Sequence, residues 1–242
     1  MKISVAMATY NGERFLKEQI DSVLSQLKSN DELIISDDGS TDDTINIISS
    51  YLSDSRVHFF RNPNKGIIKN FEHAISKTNN EIIFLCDQDD IWLPNKISLM
   101  SKEFKNSGIG MVVSDAKFVD TNLKELNNTQ SSDVNWRKGL LRNFTKNTYV
   151  GCCMAFNRNL KEIILPFPDN IPMHDVWIGI LAELNGINIS YIQKELMLHR
   201  RHNDTATGNK RNKLQKIIHW RLSLFKCLLY RQIKVKISKI NL

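Results

Sequence analysis

Hydrophobic and polar positions divide the first hundred residues into strand–turn–helix units. Lys2–Ala8 alternates as a strand does and stops at the polar turn Thr9-Tyr10-Asn11-Gly12. In Arg14–Leu27, Phe15, Ile20, Val23, Leu24 and Leu27 recur at helical spacing. The pattern repeats with a strand over Glu32–Ser36, a turn over Asp37–Ser40 and a helix over Thr41–Tyr51. Ser40 or Thr41 is the expected cap of that helix, and Asp42 and Asp43 suit its positive end. Val57–Phe60 reads as a third strand, closed by Arg61–Gly66, and Ile67–Thr78 as a helix. A run of five apolar residues, Ile82–Cys86, then ends abruptly in Asp87, Asp89 and Asp90, as a buried strand opening onto a site would. This alternation predicts an α/β fold with a mostly parallel central sheet flanked by helices.

The second half is less regular. Strands are expected at Gly110–Ser114, Thr148–Phe156, Ile187–Ile192 and Glu195–Leu198, and helices at Arg158–Leu165 and from about His174 to Leu184. Asp120–Asn135 is polar and turn-rich, a surface excursion. The last strand delivers His199-Arg200-Arg201-His202-Asn203.

Charge changes the picture at the C-terminus. The formal net charge is +7, yet residues 209–242 hold ten basic residues and no acid. The other 23 Lys and Arg face 26 Asp and Glu, so residues 1–208 carry about −3. The expected division is a folded domain over 1–208, made of halves 1–105 and 106–208, and a basic tail over 209–242. Drawn as a helix, Lys213–Ile233 places Leu214, Ile217, Ile218, Leu222, Phe225, Leu228 and Leu229 on one arc, interrupted by Arg221. Such a helix suits an anionic bilayer; packing on the domain and contact with a partner protein are the alternatives. Nucleic acid is disfavoured by the acidic body and by the lack of a recognition motif. Nothing at the start resembles a signal peptide, and no apolar run approaches the ~20 residues of a spanning helix. The four cysteines show no CxxC spacing. A cytoplasmic protein, peripheral on the inner face of the cell membrane, is the expectation.

In parallel sheets ligands bind at the carboxyl ends of strands. Tyr10, Asp37, Asp38, Asp87, Asp89 and Asp90 all fall at such ends. Three carboxylates within four residues need a cation, hydrogen bonds or raised pKa values. A divalent metal meets that need, while turn formation and helix capping near Pro94 are the plainer reading. Oxygen ligands suit Mg²⁺ or Mn²⁺ rather than zinc. Asp175, just inside a helix start, serves either the helix dipole or catalysis.

The segments MATYNGERFLKEQIDSVLSQ, SDDGSTDDT, NPNKGIIKNFEHAI and LCDQDDIWLPNKI, in this order, closely resemble the inverting glycosyltransferases of family 2, which have the GT-A fold. HDVWIGILAELNG and HRRHNDTATG resemble a bacterial subfamily assigned to rhamnosyl or hexosyl transfer in O-antigen and capsule assembly. The resemblance spans Lys2 to about Gly208. It implies a UDP- or dTDP-sugar donor held by Thr9, Tyr10 against the base, Asp38 on the base's ring, Asp87, and Arg200 at the diphosphate. It implies a DXD motif in Asp87-Gln88-Asp89, with Asp89, Asp90 and His202 holding Mn²⁺ or Mg²⁺, and Asp175 as general base toward a saccharide acceptor, lipid-linked in that subfamily. The subfamily usually has Tyr before this Arg; here His199 stands there. Trp92 and Trp177 are expected to pack, and His174 either to orient the acceptor or to cap its helix exposed. The rival readings are a nucleotidyltransferase, which would want a Gly-rich basic loop after the first strand, and a non-catalytic sugar-nucleotide or polysaccharide-binding module.

Overall fold

Every residue of β1 (Ile3–Thr9) is buried, as befits a strand covered on both faces. It pairs in parallel with β2 (Glu32–Asp37) and β4 (Ile82–Asp87), and β3 (Val57–Arg61) continues the sheet beyond β2. The register sets Thr9 beside Asp37 and Ala8 beside Asp87, so three strands release their chains at one level. The helices α1 (Leu16–Leu24), α2 (Thr44–Ser49) and α3 (Ile67–Lys77) follow the predicted alternation, and α4 (Lys96–Glu103) comes after the acidic cluster. The computed structural model describes residues 1–106, 108–129, 136–202 and 214–240, except for the side chains of 127–129, 214, 216 and 233–240. Asn203, Lys210, Arg211 and Lys213 therefore lie outside the described residues, as does the end of the polar excursion, 130–135.

Beyond β4 the sheet becomes mixed. β8 (Met154–Asn157) runs antiparallel between β4 and β6 (Ile109–Val119), and β9 (Asn188–Arg200) lies parallel to β6. Within the excursion, β7 (Glu125–Thr129) folds back on β6. The two short strands expected at 187–198 are one strand, because β9 follows β6 along its length and register shifts near Ser114–Lys117 absorb the irregularity. The strand expected over Thr148–Phe156 begins only at Met154, after a 3₁₀ turn at Gly151–Cys153. A side chain at Gly151 would put its Cβ 2.4 Å from Nε2 of His174. Neither Ser40 nor Thr41 caps α2, whose first turn follows Asp43 without a side-chain cap. They bind Asn11 instead, Ser40 Oγ accepting from its N–H and the Thr41 N–H donating to its Oδ1, which ties the loops after β1 and β2 together.

A two-residue strand absent from the sequence reading, β5 (Ile91–Trp92), pairs antiparallel with β9 and aligns Ile91 with Leu198. This pairing carries the acidic cluster from the end of β4 to the basic segment at the end of β9. Around this frame stand α5 (Leu140–Thr145), α6 (Arg158–Ile164) and α7 (His174–Leu184), the last buried along most of its length. Trp92 and Trp177 are core residues, Trp177 donating to the carbonyl of Ile164 at 2.9 Å.

The basic tail forms α8 (Leu214–Ile240). It buries Leu224, Leu228 and Arg231 against the domain. The Arg231 guanidinium donates to the carbonyls of Ile163, Leu165 and Pro166 and lies 5.5 Å from the Trp177 ring centre. Ser223 donates to the carbonyl of Asn170, and Arg221, expected to break an apolar face, donates to the carbonyl of Thr145. The predicted arc is thus split: Leu228 docks, while Ile218, Leu222, Phe225 and Leu229 remain exposed. Among the described residues no helix is long and apolar enough to cross a membrane. Arg231→Met strands three carbonyls and is expected to destabilise the fold by about 1–3 kcal/mol, read as a lower midpoint in urea.

Candidate active site

Two side chains set the loops around the strand ends. Gln88 clips the end of β4 to the end of β1, accepting from the Tyr10 N–H at 2.8 Å and donating to its carbonyl at 2.9 Å. Asp37 gathers the next loop, accepting from the N–H groups of Gly39 and Ser40 at 2.9 Å each and from Thr9 Oγ1 at 3.1 Å. Asp38 then faces inward, accepting from Asn62 Nδ2 at 3.0 Å and from the Gly66 N–H at 2.8 Å. Gly66 has φ 96°, which a side chain would strain; nothing crowds its Cβ position, so it is the backbone angle that calls for glycine there.

These loops enclose a cleft of about 400 Å³. Thr9, Tyr10, Asp38, Asp87 and Asp89 line it from the strand ends, and Asp175 and Arg200 from the other half. Tyr10 is 54% exposed, an open ring at the mouth. Asn70, which sequence reasoning passed over, lines the cleft and holds the Thr9 carbonyl through Nδ2, and its buried Oδ1 has no hydrogen-bond partner among the described residues.

The acidic cluster is divided. Asp89 Oδ2 meets His202 Nε2 at 2.8 Å, with His202 tilted against the Phe15 ring. Asp90 turns away from that pair into the protein, 1% exposed, and accepts the backbone N–H of Arg200 at 3.1 Å. Burial and the charge of Asp89 push its pKa up to about 8. Asp87 is likewise held well above the usual carboxylate range by burial and by its neighbours Asp90 and Asp89. Arg200 does not reach freely into the cleft. Its guanidinium pairs with Glu18 of α1, donates to the Thr121 carbonyl at 3.3 Å and stacks over Phe15 at 4.5 Å. Glu18 lay beyond the reach of sequence reasoning, which had no signal linking α1 to the end of β9.

Asp175 sits in the first turn of α7, with Oδ1 accepting the Val176 N–H at 2.6 Å. Burial raises its pKa to about 7. Its neighbour His174 is not an exposed cap. It is 5% exposed, stacked on Phe71 at 3.9 Å, and both ring nitrogens are buried without hydrogen-bond partners among the described residues. Burial lowers its pKa to about 3, so the ring is neutral at physiological pH.

A strand-end cleft that carries separate acids from two halves of one sheet invites comparison with known proteins. The sequence model of glycosyl transferase family 2 matches residues 4–164. The chain belongs to this family. The nucleotidyltransferase alternative falls with that match. Among curated relatives, the UDP-Glc:alpha-D-GlcNAc-diphosphoundecaprenol beta-1,3-glucosyltransferase WfgD of Escherichia coli is 26% identical over 88% of this chain and 83% of its own. The dTDP-rhamnosyl transferase RfbG of Shigella flexneri is 28% identical over 96% of this chain and 83% of its own. The chain spans only 30–54% of the length of three other curated glycosyltransferases that it matches. Solved GT-A structures share the fold. S. aureus TarS in complex with UDP-GlcNAc superposes with a TM-score of 0.72 at 20% identity, over 90% of this chain and 63% of TarS. Glucosyl-3-phosphoglycerate synthase from Mycobacterium tuberculosis, solved with Mn²⁺ and UDP, gives 0.60 at 18% identity, over 95% and 79%.

Proposed function

We propose that this family 2 chain transfers a hexose or deoxyhexose, with inversion, from a UDP- or dTDP-sugar to a saccharide acceptor in polysaccharide synthesis. The observation that carries the reading is the shared cleft, where strand-end acids suited to a sugar nucleotide face Asp175. Tyr10 would pack on the base and Asp38 would accept from its ring, while Thr9 and Asn70 shape the floor. Asp87, close enough to feel the charge of Asp175, would face the ribose or the sugar. Asp175 would take the acceptor's hydroxyl proton as that oxygen attacks the anomeric carbon opposite the leaving diphosphate. Arg200, paired with Glu18 and lining the cleft, would brace the site from that wall.

Asp89 and His202 fit a Mn²⁺ or Mg²⁺ ion. Their donor atoms are 2.8 Å apart, near the ~3 Å between adjacent ligands of an octahedral ion with ~2.1 Å bonds. A cation bound there would neutralise the charge that grows on the departing diphosphate. Asp90, turned away, would hold the Arg200 backbone rather than ligate that ion. WfgD and RfbG are named for UDP-glucose and dTDP-rhamnose, which supports both donor bases, and WfgD for a diphosphoundecaprenol acceptor, which supports a lipid-linked one. The test is a sugar-nucleotide panel with Mn²⁺. Slow hydrolysis of at least one UDP- or dTDP-sugar is expected, and consumption or binding of none would sink the assignment in favour of a non-catalytic module.

A lipid-linked acceptor calls for a membrane-facing surface, and the reading places it on the outer face of α8. Ile218, Leu222, Phe225 and Leu229 line up at helical spacing, and Leu141 of α5, 79% exposed, stands beside them across an apolar groove of about 330 Å³. Arg142, Lys146 and Lys226 are exposed basic residues on the same two elements or next to them. The full chain is expected to pellet with phosphatidylglycerol vesicles at low salt, and Leu222→Glu/Phe225→Glu to reduce the bound fraction at least about tenfold. Equal pelleting of both proteins, or of neither, rejects this surface.

A further inference from the structure

Behind the donor cleft, Asp90, Cys152 and His199 converge from three separate elements: the turn after β4, the 3₁₀ turn before β8, and β9. Each offers one donor atom, and the three lie within 4.8 Å of one another. Cys152 Sγ is 3.3 Å from His199 Nδ1, and that nitrogen is 3.6 Å from Asp90 Oδ1. A tetrahedral zinc ion, with bonds of ~2.3 Å to sulfur and ~2.0 Å to nitrogen and oxygen, separates S from N by ~3.5 Å and N from O by ~3.3 Å. The side chains already stand within a few tenths of an ångström of those edges.

A second observation also points to a cation. Asp90 is 1% exposed and its Oδ2 has no hydrogen-bond partner among the described residues, a costly arrangement for a carboxylate. The nearby ammonium of Lys96 does not answer it, since it is directed to the Cys152 carbonyl at 2.8 Å and Met197 Sδ at 3.3 Å. His199 lines the donor cleft, so the cluster has a route to solvent.

We infer that Asp90, Cys152 and His199 form a zinc site, distinct from the Asp89–His202 pair. The two sites differ in kind. A thiolate and an imidazole select a borderline-soft ion such as Zn²⁺, whereas Asp89 and His202 open onto a diphosphate and take a hard, oxygen-seeking ion. Three protein ligands leave a fourth position of the tetrahedron open, the form that non-structural zinc sites take. Binding requires the Cys152 thiol, and the Asp90 carboxyl wherever it is protonated, to lose their protons, so zinc uptake releases protons and strengthens as pH rises. The inference is independent of which sugar is transferred, and even of whether any is.

The experiment is a Co²⁺ titration of the full chain in excess Mg²⁺, which keeps the hard site filled. The expected result is a sulfur-to-cobalt charge-transfer absorption that saturates at one equivalent and is bleached by one equivalent of Zn²⁺. Cys152→Ser and His199→Gln are each expected to weaken Zn²⁺ uptake by more than about 100-fold, beyond what loss of a residue merely supporting a ligand costs. Cys227→Ser and Asp89→Asn should keep the absorption. Its absence in the wild type, its persistence in Cys152→Ser, or its loss in Asp89→Asn overturns the site. Should Cys152→Ser fail to fold, as judged by circular dichroism, His199→Gln decides alone, and unchanged Zn²⁺ affinity in that variant is equally fatal.

Discussion

Asp175→Asn is expected to slow sugar transfer by about 10²–10⁴-fold while leaving donor binding intact. The side chain lines the cleft but lies on α7, in the half that β8 and β9 build, away from the strand ends that shape the nucleotide pocket. Asn keeps the shape and much of the hydrogen bonding and removes only the ability to accept a proton. The wild-type enzyme should also show a rate that climbs as pH rises through about 7, because burial holds Asp175 protonated below that point. The same burial costs stability. In the folded chain Asp175 titrates at about 7, against 3.8 for the ordinary group, so between these values the native state binds more protons than the unfolded one. Stability from this residue therefore falls as pH rises through that window. Asp175→Asn escapes the loss and should melt at a higher temperature than wild type at pH 8. A variant that keeps the full transfer rate and shows a flat pH profile would remove Asp175 from the mechanism.

Asp89→Ala carries the second large effect. Calorimetry with UDP and dTDP, each with and without Mn²⁺, should show that the cation tightens binding of one of them to the wild type. In the variant that tightening should vanish, with transfer falling by at least about 10²–10³-fold. His202→Ala should be milder, about 10–100-fold, because an imidazole adds less than a carboxylate to a hard ion's shell. If Mn²⁺ helps Asp89→Ala as much as wild type, the cation sits elsewhere.

The contrast between the two halves explains what could be read from the residues alone. In β1, β2 and β4, apolar runs stop at polar turns, and parallel pairing then forces Tyr10, Asp38 and Asp87 to one edge whatever the loops do. The position of Asp175, just inside a helix start, was legible as well. The split of Asp89 from Asp90 was not. It depends on β5, two residues long, pairing with β9 more than a hundred positions away, and no local periodicity announces so short a strand. The Arg200–Glu18 pair was hidden for the same reason, since Glu18 meets Arg200 only after α1 and β9 are both in place. His174 looked like an exposed cap because its burial is made by Phe71 and by the bare Gly151. On α8 the apolar arc was visible, but which stripe of it would dock was chosen by Arg231, whose carbonyl partners come from the distant C-terminal end of α6 and the residues just after it.

That Arg231 anchorage packs α8 onto the domain that carries the cleft. A bilayer that receives Leu222 and Phe225 therefore receives the whole molecule in one posture, with Asp175 held at a set height above the lipid. On the proposed function such a scaffold would work as a ruler. Only a hydroxyl that a lipid carrier presents at that height would be glycosylated, so the position of the sugar in a growing chain would be selected by reach before any contact in the cleft discriminates its chemistry.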